Sequence, residues 1–286
     1  MGGPAITDHS LREQFQGGEQ SARRARILLE AYYPLVRSVF PIDGELETVA
    51  AYDEYLRDPT MEWDIVALTD ASSGRIIGGI QWQVLREVRT SWVNAVAWIE
   101  HIWLANERGV RSYGSFRHLL ATVRKHMQHG AVDVGFMEFN DPEKMTTEEM
   151  EQDAGGGLSS RDRLLLWARV GLRELVYLAP DGRYLPVPYA QPSMEGGPPV
   201  RMLSLGFFSL AQDLGVVHPR PDEYLQILYR AHSTIRGVDP ATDPTCLEYT
   251  GALRALGVAE LCFAPLQRRL SDRPPRHGGL RASEKP

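Results

Sequence analysis

Residues 99–127, IEHIWLANERGVRSYGSFRHLLATVRKHM, constrain the chain more than any other stretch. They read as an apolar strand, a short loop dense in Arg and Gly, and an amphipathic helix. A strand that ends in such a turn leaves unpaired backbone N–H groups at the next helix start, a cradle for an anion. Arg108 and Arg111 add two cations where a phosphate would lie. The helix then has to return to the sheet. A right-handed crossover sets its two flanking strands side by side and parallel.

The rest of the chain builds an α+β frame around that segment. Ile27, Leu28, Ala31, Tyr32, Leu35 and Val39 have helical spacing and predict a helix over 22–40. A second helix is expected from near Glu45, with Leu46, Val49, Ala50 and Tyr52 inward. DIVALTD and RIIGGIQWQVL flank Ala-Ser-Ser-Gly, a hairpin signal, and SWVNAVAWIEHIWL is the third and longest strand. AVDVGFMEF follows the central helix as a strand ending at Asn140. Residues 143–160, acidic and then Gly/Ser-rich, predict a lid or excursion. RDRLLLWARVGL reads as a helix stopped at Gly171, and two more strands follow before the character turns helical at Pro221. The order α, α, β, β, β, α, β, α, β, β predicts a mixed, mostly antiparallel central sheet flanked by helices. The expected organisation is a flexible N-terminus at 1–20, one domain at 21–212, a helical extension at 213–264, and a basic, disordered tail at 265–286.

Composition narrows the function classes. The net charge is −6, so no global basic field implies nucleic acid. No apolar run approaches a membrane span, and the first residues lack the pattern of a signal peptide. Two cysteines, Cys246 and Cys262, have no metal spacing and suit a reducing cytoplasm. His126 and His129 lie three apart on a helix, but no Cys or carboxylate spacing completes a metal site. No G-x-S-x-G or P-loop occurs. The tail arginines Arg268, Arg269, Arg273 and Arg276 read as a solvated end.

Glu100 stands out on the long strand. It interrupts the apolar face Val96, Trp98, Ile102 and Leu104, and an acid on such a face is costly to bury and often functional. His101, its neighbour, is expected on the opposite face unless a bulge intervenes. Glu138 and Asn140, at the end of the next strand, are further candidates.

Around the central loop the chain resembles the GNAT superfamily of acyl-CoA-dependent N-acyltransferases, whose signature R/Q-x-x-G-x-G/A opens a helix after the fourth strand. Two registers are open here. One starts at Gly109; the other reads Arg111-Ser112-Tyr113-Gly114-Ser115-Phe116. Phe116, Leu119, Leu120 and Val123 form one apolar helix face, which favours the second register and sets a bulky Phe116 at the last motif position. The segment around Trp167 resembles the family's later helix, with Trp167 where a tyrosine often protonates the leaving thiolate. Indole cannot act as that acid.

The resemblance implies an acyl-CoA co-substrate, acetyl-CoA the simplest, and no metal. The pyrophosphate would be held by Arg108, Arg111 and the N–H groups of Ser112, Tyr113, Gly114 and Ser115. Leu104 would contribute a strand N–H to the oxyanion, and Asn140 would lie by the pantetheine arm where the neighbouring strands splay. Glu100, at the family's eleven-residue offset before Arg111, would be the base for an amine, with Glu138 as second base. The acceptor is expected to be a small-molecule amine, lined by Tyr52, Tyr55, Tyr184, Tyr189 and Gln191. Neither nucleic acid nor membrane is an expected partner, and the assembly is a monomer or a dimer. Two alternatives stay open: an acyl carrier protein as donor, met by Arg108, Arg111, Arg117, Arg124 and Lys125, or a non-enzymatic binding or assembly module of the same fold.

Overall fold

The structure, a computed structural model, describes residues 5–40, 46–88, 90–105, 110, 113–132, 134–154, 158–193, 198–209, 219–256 and 261–266. Among them, nine strands form one sheet. β1 (Ile6–Ser10), β2 (Trp63–Asp70), β3 (Ile76–Arg86) and β4 (Ala95–Leu104) are consecutive antiparallel neighbours. α4 (Tyr113–His129) then crosses over, and β5 (Val134–Asn140) returns parallel to β4, as the crossover rule requires. Beyond β5 lie β8 (Leu203–Ser209) and β6 (Arg173–Leu178), with β7 (Tyr184–Pro186) and β9 (Leu261–Pro265) both paired to β6. The sheet is mixed and mostly antiparallel, with helices on both faces.

One face is covered by α4 and α6 (Ser160–Arg169). Phe116, Leu119, Leu120, Val123 and Met127 of α4 share a core with Leu164, Trp167 and Ala168 of α6. Each fully buried side chain of this size contributes about 1.5–3 kcal/mol, so the apolar stripe alone seats the helix. The opposite face has two sets of helices. α1 (Leu11–Gln16), α2 (Glu19–Val39) and α3 (Val49–Arg57) cover β2 and β3 through Leu29, Tyr32, Tyr52 and Leu56. α7 (Pro221–Ile235) and α8 (Pro244–Ala255) cover β4, β5 and β8 through Tyr224, Ile227, Leu228, Tyr249 and Leu253.

Local chemistry fixes these positions. Gly79 has no Cβ where one would sit 2.5 Å from the Tyr32 ring, which lets α2 lie directly on the sheet. Glu223 accepts the Arg220 N–H at the start of α7 at 3.1 Å and the Ser91 N–H at 2.6 Å, tying that helix to the loop before β4. α5 (Thr147–Ala154) lies inside the expected lid, and Gly155–157 is outside the described residues.

Three expectations change. Residues 6–16, expected to be loose, form β1 and α1 and bury Leu11 and Phe15, because Ser10 and the Arg12 N–H both bond the buried Asp64. The helix over 22–40 buries Ala25, Leu29, Tyr32 and Val36; of the expected stripe, Ile27 is 60% exposed. The extension does not end in helix: residues 261–265 are β9. The basic tail, from 267 onward, lies outside the described residues. No described helix is long and apolar enough to cross a membrane.

Candidate active site where strands β4 and β5 part

The β4–β5 ladder has three rungs, Ala97↔Gly135, Trp98↔Phe136 and Ile99↔Met137. Both strands then run on unpaired with each other, β4 to Leu104 and β5 to Asn140, and a wedge opens between them. Ala105 donates to the Ile77 carbonyl of β3. Backbone groups alternate sides along a strand, so the N–H groups of Ile102 and Leu104 face the wedge.

A β-bulge sits at the wedge's apex. Ile99 opposes Trp82 and His101 opposes Gln81, so Glu100 is the extra residue. The bulge changes which residues share a face. Ala97 and Ile99 join the α4 core before it, and Ile102 and Leu104 pack against that same core after it. Trp103 instead joins the helix-α2 side. The expected single face Val96, Trp98, Glu100, Ile102, Leu104 is therefore broken, and His101 lies on the same side as Glu100 rather than opposite it.

Glu100 is half-buried and accepts from the Trp63 indole N–H at 3.1 Å to each oxygen. Trp63 is itself packed against the rings of Tyr52 and Tyr55, at 5.0 and 5.6 Å. Behind it, Gln81 Oε1 lies 2.7 Å from His101 Nδ1 and accepts from the Tyr52 hydroxyl at 3.3 Å. Burial pushes Glu100 up to about 7; the Trp63 hydrogen bond and the Arg236 charge oppose the rise, while Glu47 and Glu138 add to it.

Glu138 shares this face, two residues past the Trp98–Phe136 rung as Glu100 is. Its surroundings are different. Tyr189 donates its hydroxyl to Oε1, Gln191 Nε2 donates to Oε2 at 2.6 Å, and Arg236 Nη2 is 3.6 Å from Oε2. Both of its oxygens are engaged by neighbouring donors, where Glu100 has the Trp63 indole alone. Arg236 and His232, one helical turn apart on α7, and Trp63 on β2 were missed by the sequence reading. Their i, i+4 spacing was visible, but nothing in it pointed to β5.

The other expected residues divide. Tyr113 opens α4, with Gly114 and the buried Ser115 in its first turn. Arg108, Arg111, Ser112 and the Tyr113 side chain lie outside the described residues. Asn140 donates to Asp153 of α5 at 2.7 Å, so its amide is engaged with the lid segment. Trp167 is buried against Phe116, ring centroids 5.0 Å apart, and against Phe208 at 5.9 Å. The two residues that depart from the family pattern thus fill one core position together. Tyr184 is on β7, beyond β8 and β6 from the wedge. Among the described residues no three His, Cys, Asp or Glu side chains are grouped to hold a metal ion.

No protein-family model and no curated protein sequence matches the chain. Among solved structures, it is similar to the aminoglycoside 6'-N-acetyltransferase from Enterococcus faecium, at 10% identity and TM-score 0.44 over 74% of this chain and 99% of that one. It is similar to an aminoglycoside 6'-N-acetyltransferase complexed with coenzyme A, at 12% identity and TM-score 0.42 over 74% and 99%. The ribosomal-protein-S18-alanine N-acetyltransferase from Escherichia coli matches at 12% identity and TM-score 0.39, over 73% and 96%.

Proposed function

We propose that the chain is a GNAT-type N-acyltransferase that moves an acetyl or other acyl group from a coenzyme A thioester to the amine of a small molecule. The observation that carries this reading is the parted β4–β5 pair with a bulged Glu100 at its apex. The residues present fit the co-substrate. The wedge offers the Ile102 and Leu104 N–H groups, and α4, which has no acidic residue in its first turn, opens a few residues after β4 ends. Arg108, Arg111 and Ser112–Ser115 are assigned to the pyrophosphate by the sequence resemblance.

Acyl-CoA supplies an activated thioester carbonyl. Glu100 takes the proton that an alkylammonium must lose before it can attack, directly or through water, and Trp63 holds the carboxylate in place. The Leu104 N–H is the strand donor for negative charge developing on the acyl oxygen. Attack is direct, in a ternary complex, with no acyl-enzyme. Of the expected lining, Tyr52 is 1% exposed and packs on Trp63 inside the core, so the Tyr55 ring and the carboxylates of Glu47 and Glu100 are what suit this side of the sheet to a cationic acceptor. Two cysteines without metal spacing support a cytoplasmic setting for the reaction.

The Phe116–Trp167 ring pair favours one alternative, a binding module without turnover, because it fills the core where the family carries functional groups. Calorimetry with coenzyme A bears on the two: no binding removes the coenzyme A-dependent enzyme. Turnover with acyl-CoA against acyl-carrier protein decides the donor. Glu100→Gln is expected to lower kcat by roughly 10²–10⁴-fold, to abolish the rise of rate with pH around neutrality, and to leave coenzyme A affinity unchanged. Unchanged turnover at saturating amine would remove Glu100 from the mechanism.

A further inference from the structure

Glu138 stands at the wedge, yet its partners all come from the last hundred residues of the chain. Behind Tyr189 lies His232 of α7, only 1% exposed, with Nε2 at 3.1 Å from the Tyr189 hydroxyl. Its Nδ1 is 3.1 Å from the Tyr249 hydroxyl of α8 and 3.6 Å from Cys246 Sγ. The rings are held by packing: Tyr189 and Tyr249 centroids lie 6.0 and 5.8 Å from the imidazole, and Trp98 of β4 lies at 6.4 Å.

Counting protons gives this row a direction. Gln191 and Arg236 both present N–H groups to Glu138 Oε2, which suits a carboxylate that only accepts. Tyr189 has one hydroxyl proton, and Glu138 Oε1 takes it. The Tyr189 oxygen can then only accept from His232, so Nε2 carries the imidazole proton. Nδ1 must in turn accept, and the Tyr249 hydroxyl at 3.1 Å, which Cys246 Sγ also faces, is the oxygen donor beside it. The opposite tautomer would set the Tyr189 oxygen and a Glu138 oxygen against each other as two acceptors.

An imidazolium is disfavoured by burial and by Arg236 one turn along the same helix, which together depress His232 to about 3 despite Asp243 at the start of α8. The other ionisable groups on this side are Glu138 beyond Tyr189, Cys246, Asp239 before α8, and Tyr229 and Tyr224 of α7; the buried Tyr224 hydroxyl has no partner among the described residues.

We propose that Tyr249, His232 and Tyr189 form a one-way hydrogen-bond chain that fixes His232 as the neutral Nε2–H tautomer and clamps the Glu138 carboxylate. Tyr249 is then a positioning residue of the site, although it touches neither Glu138 nor the wedge. Each link polarises the next, so loss of the far end weakens the near one. The helical extension becomes part of the active-site machinery. The kinetic consequence rests on the acyltransferase reading; the tautomer does not.

The test uses the full chain labelled with ¹⁵N-histidine and long-range ¹H–¹⁵N correlation from pH 5 to 9, with His232 identified by the signal lost in His232→Asn. One imidazole with a protonated Nε2 and a bare Nδ1, invariant across that range, is the expected result. In Tyr249→Phe the bare Nδ1 loses its donor and its ¹⁵N shift should move toward that of an unbonded imine nitrogen, while Nε2, still facing Tyr189 and Glu138, stays protonated. With acyl-CoA and an amine acceptor, kcat of that variant should fall about fivefold, the worth of one neutral hydrogen bond, at unchanged coenzyme A affinity. An Nδ1–H tautomer in the wild type, an imidazole that titrates between pH 5 and 9, or unmoved shifts in Tyr249→Phe would overturn the proposal. The wild-type spectrum decides even if Tyr249→Phe does not fold. An inactive chain with the Nε2–H tautomer rejects the acyltransferase and keeps the hydrogen-bond chain; an active one with Nδ1–H does the reverse.

Discussion

Glu100 and Glu138 occupy matching positions on adjacent parallel strands, and the protein treats them in opposite ways. Glu100 has Trp63 as its hydrogen-bond donor, beneath the aromatic roof of α3. Glu138 has Tyr189, Gln191 and Arg236, supplied by the loop after β7 and by the C-terminal helices. Burial with one donor leaves the first carboxylate ready to hold a proton near neutrality. Three donors give the second a fixed orientation and a settled role as acceptor. When two like groups share a face, their environments divide the labour between base and anchor.

The division can be broken by making one substitution at each position. Glu138→Gln sets an amide N–H₂ against donors that need an acceptor, and should destabilise the fold by about 2–3 kcal/mol in urea unfolding at pH 8. Glu100→Gln should do the reverse. In the unfolded chain this carboxyl titrates near 4.5 and in the folded one at about 7, so the folded state binds more protons between those values. Stability contributed at this position therefore falls as pH rises through that window and stays low above it. Glu100→Gln removes the cost, giving a gain of roughly 1–3 kcal/mol at pH 8 that shrinks toward zero below pH 5. A destabilised Glu100→Gln at pH 8, or a Glu138→Gln as stable as wild type, would erase the contrast.

What the sequence disclosed follows the same line. Periodicity points to α4, because four apolar residues at helical spacing must face one core, and the crossover rule then makes β4 and β5 parallel neighbours. Glu100 was legible as an acid on an apolar strand. The bulge was not: IEHIW contains no Gly or Pro, and the break in register is decided by which rungs β3 and β4 complete. That one unpaired residue moved His101 onto the Glu100 side and turned Ile102 and Leu104 away. On α2 the expected stripe is only partly the buried one: Tyr32 fills the gap left by Gly79, with Ala25, Leu29 and Val36 beside it, while Ile27 faces solvent. Arg236 and His232 were invisible for a different reason: nothing local couples a C-terminal helix to a strand so far back in the chain.

The finest test of the comparison changes a donor instead of an acid. Trp63→Phe keeps an aromatic ring between Tyr52 and Tyr55 and deletes the N–H that reaches both Glu100 oxygens. That N–H favours the charged carboxylate, so without it Glu100 holds its proton more tightly. The midpoint of the rate's rise with pH should therefore move up from about 7. A shift of roughly one unit is the expected size for one charged hydrogen bond. Turnover should drop severalfold at pH 7 and recover by pH 9, measured as kcat/KM against pH. A loss of equal size at every pH would mean that Trp63 serves the site through packing alone. An unmoved midpoint with full activity would assign the titrating base to another group on the same face, with His101, brought there by the bulge, the first to be replaced.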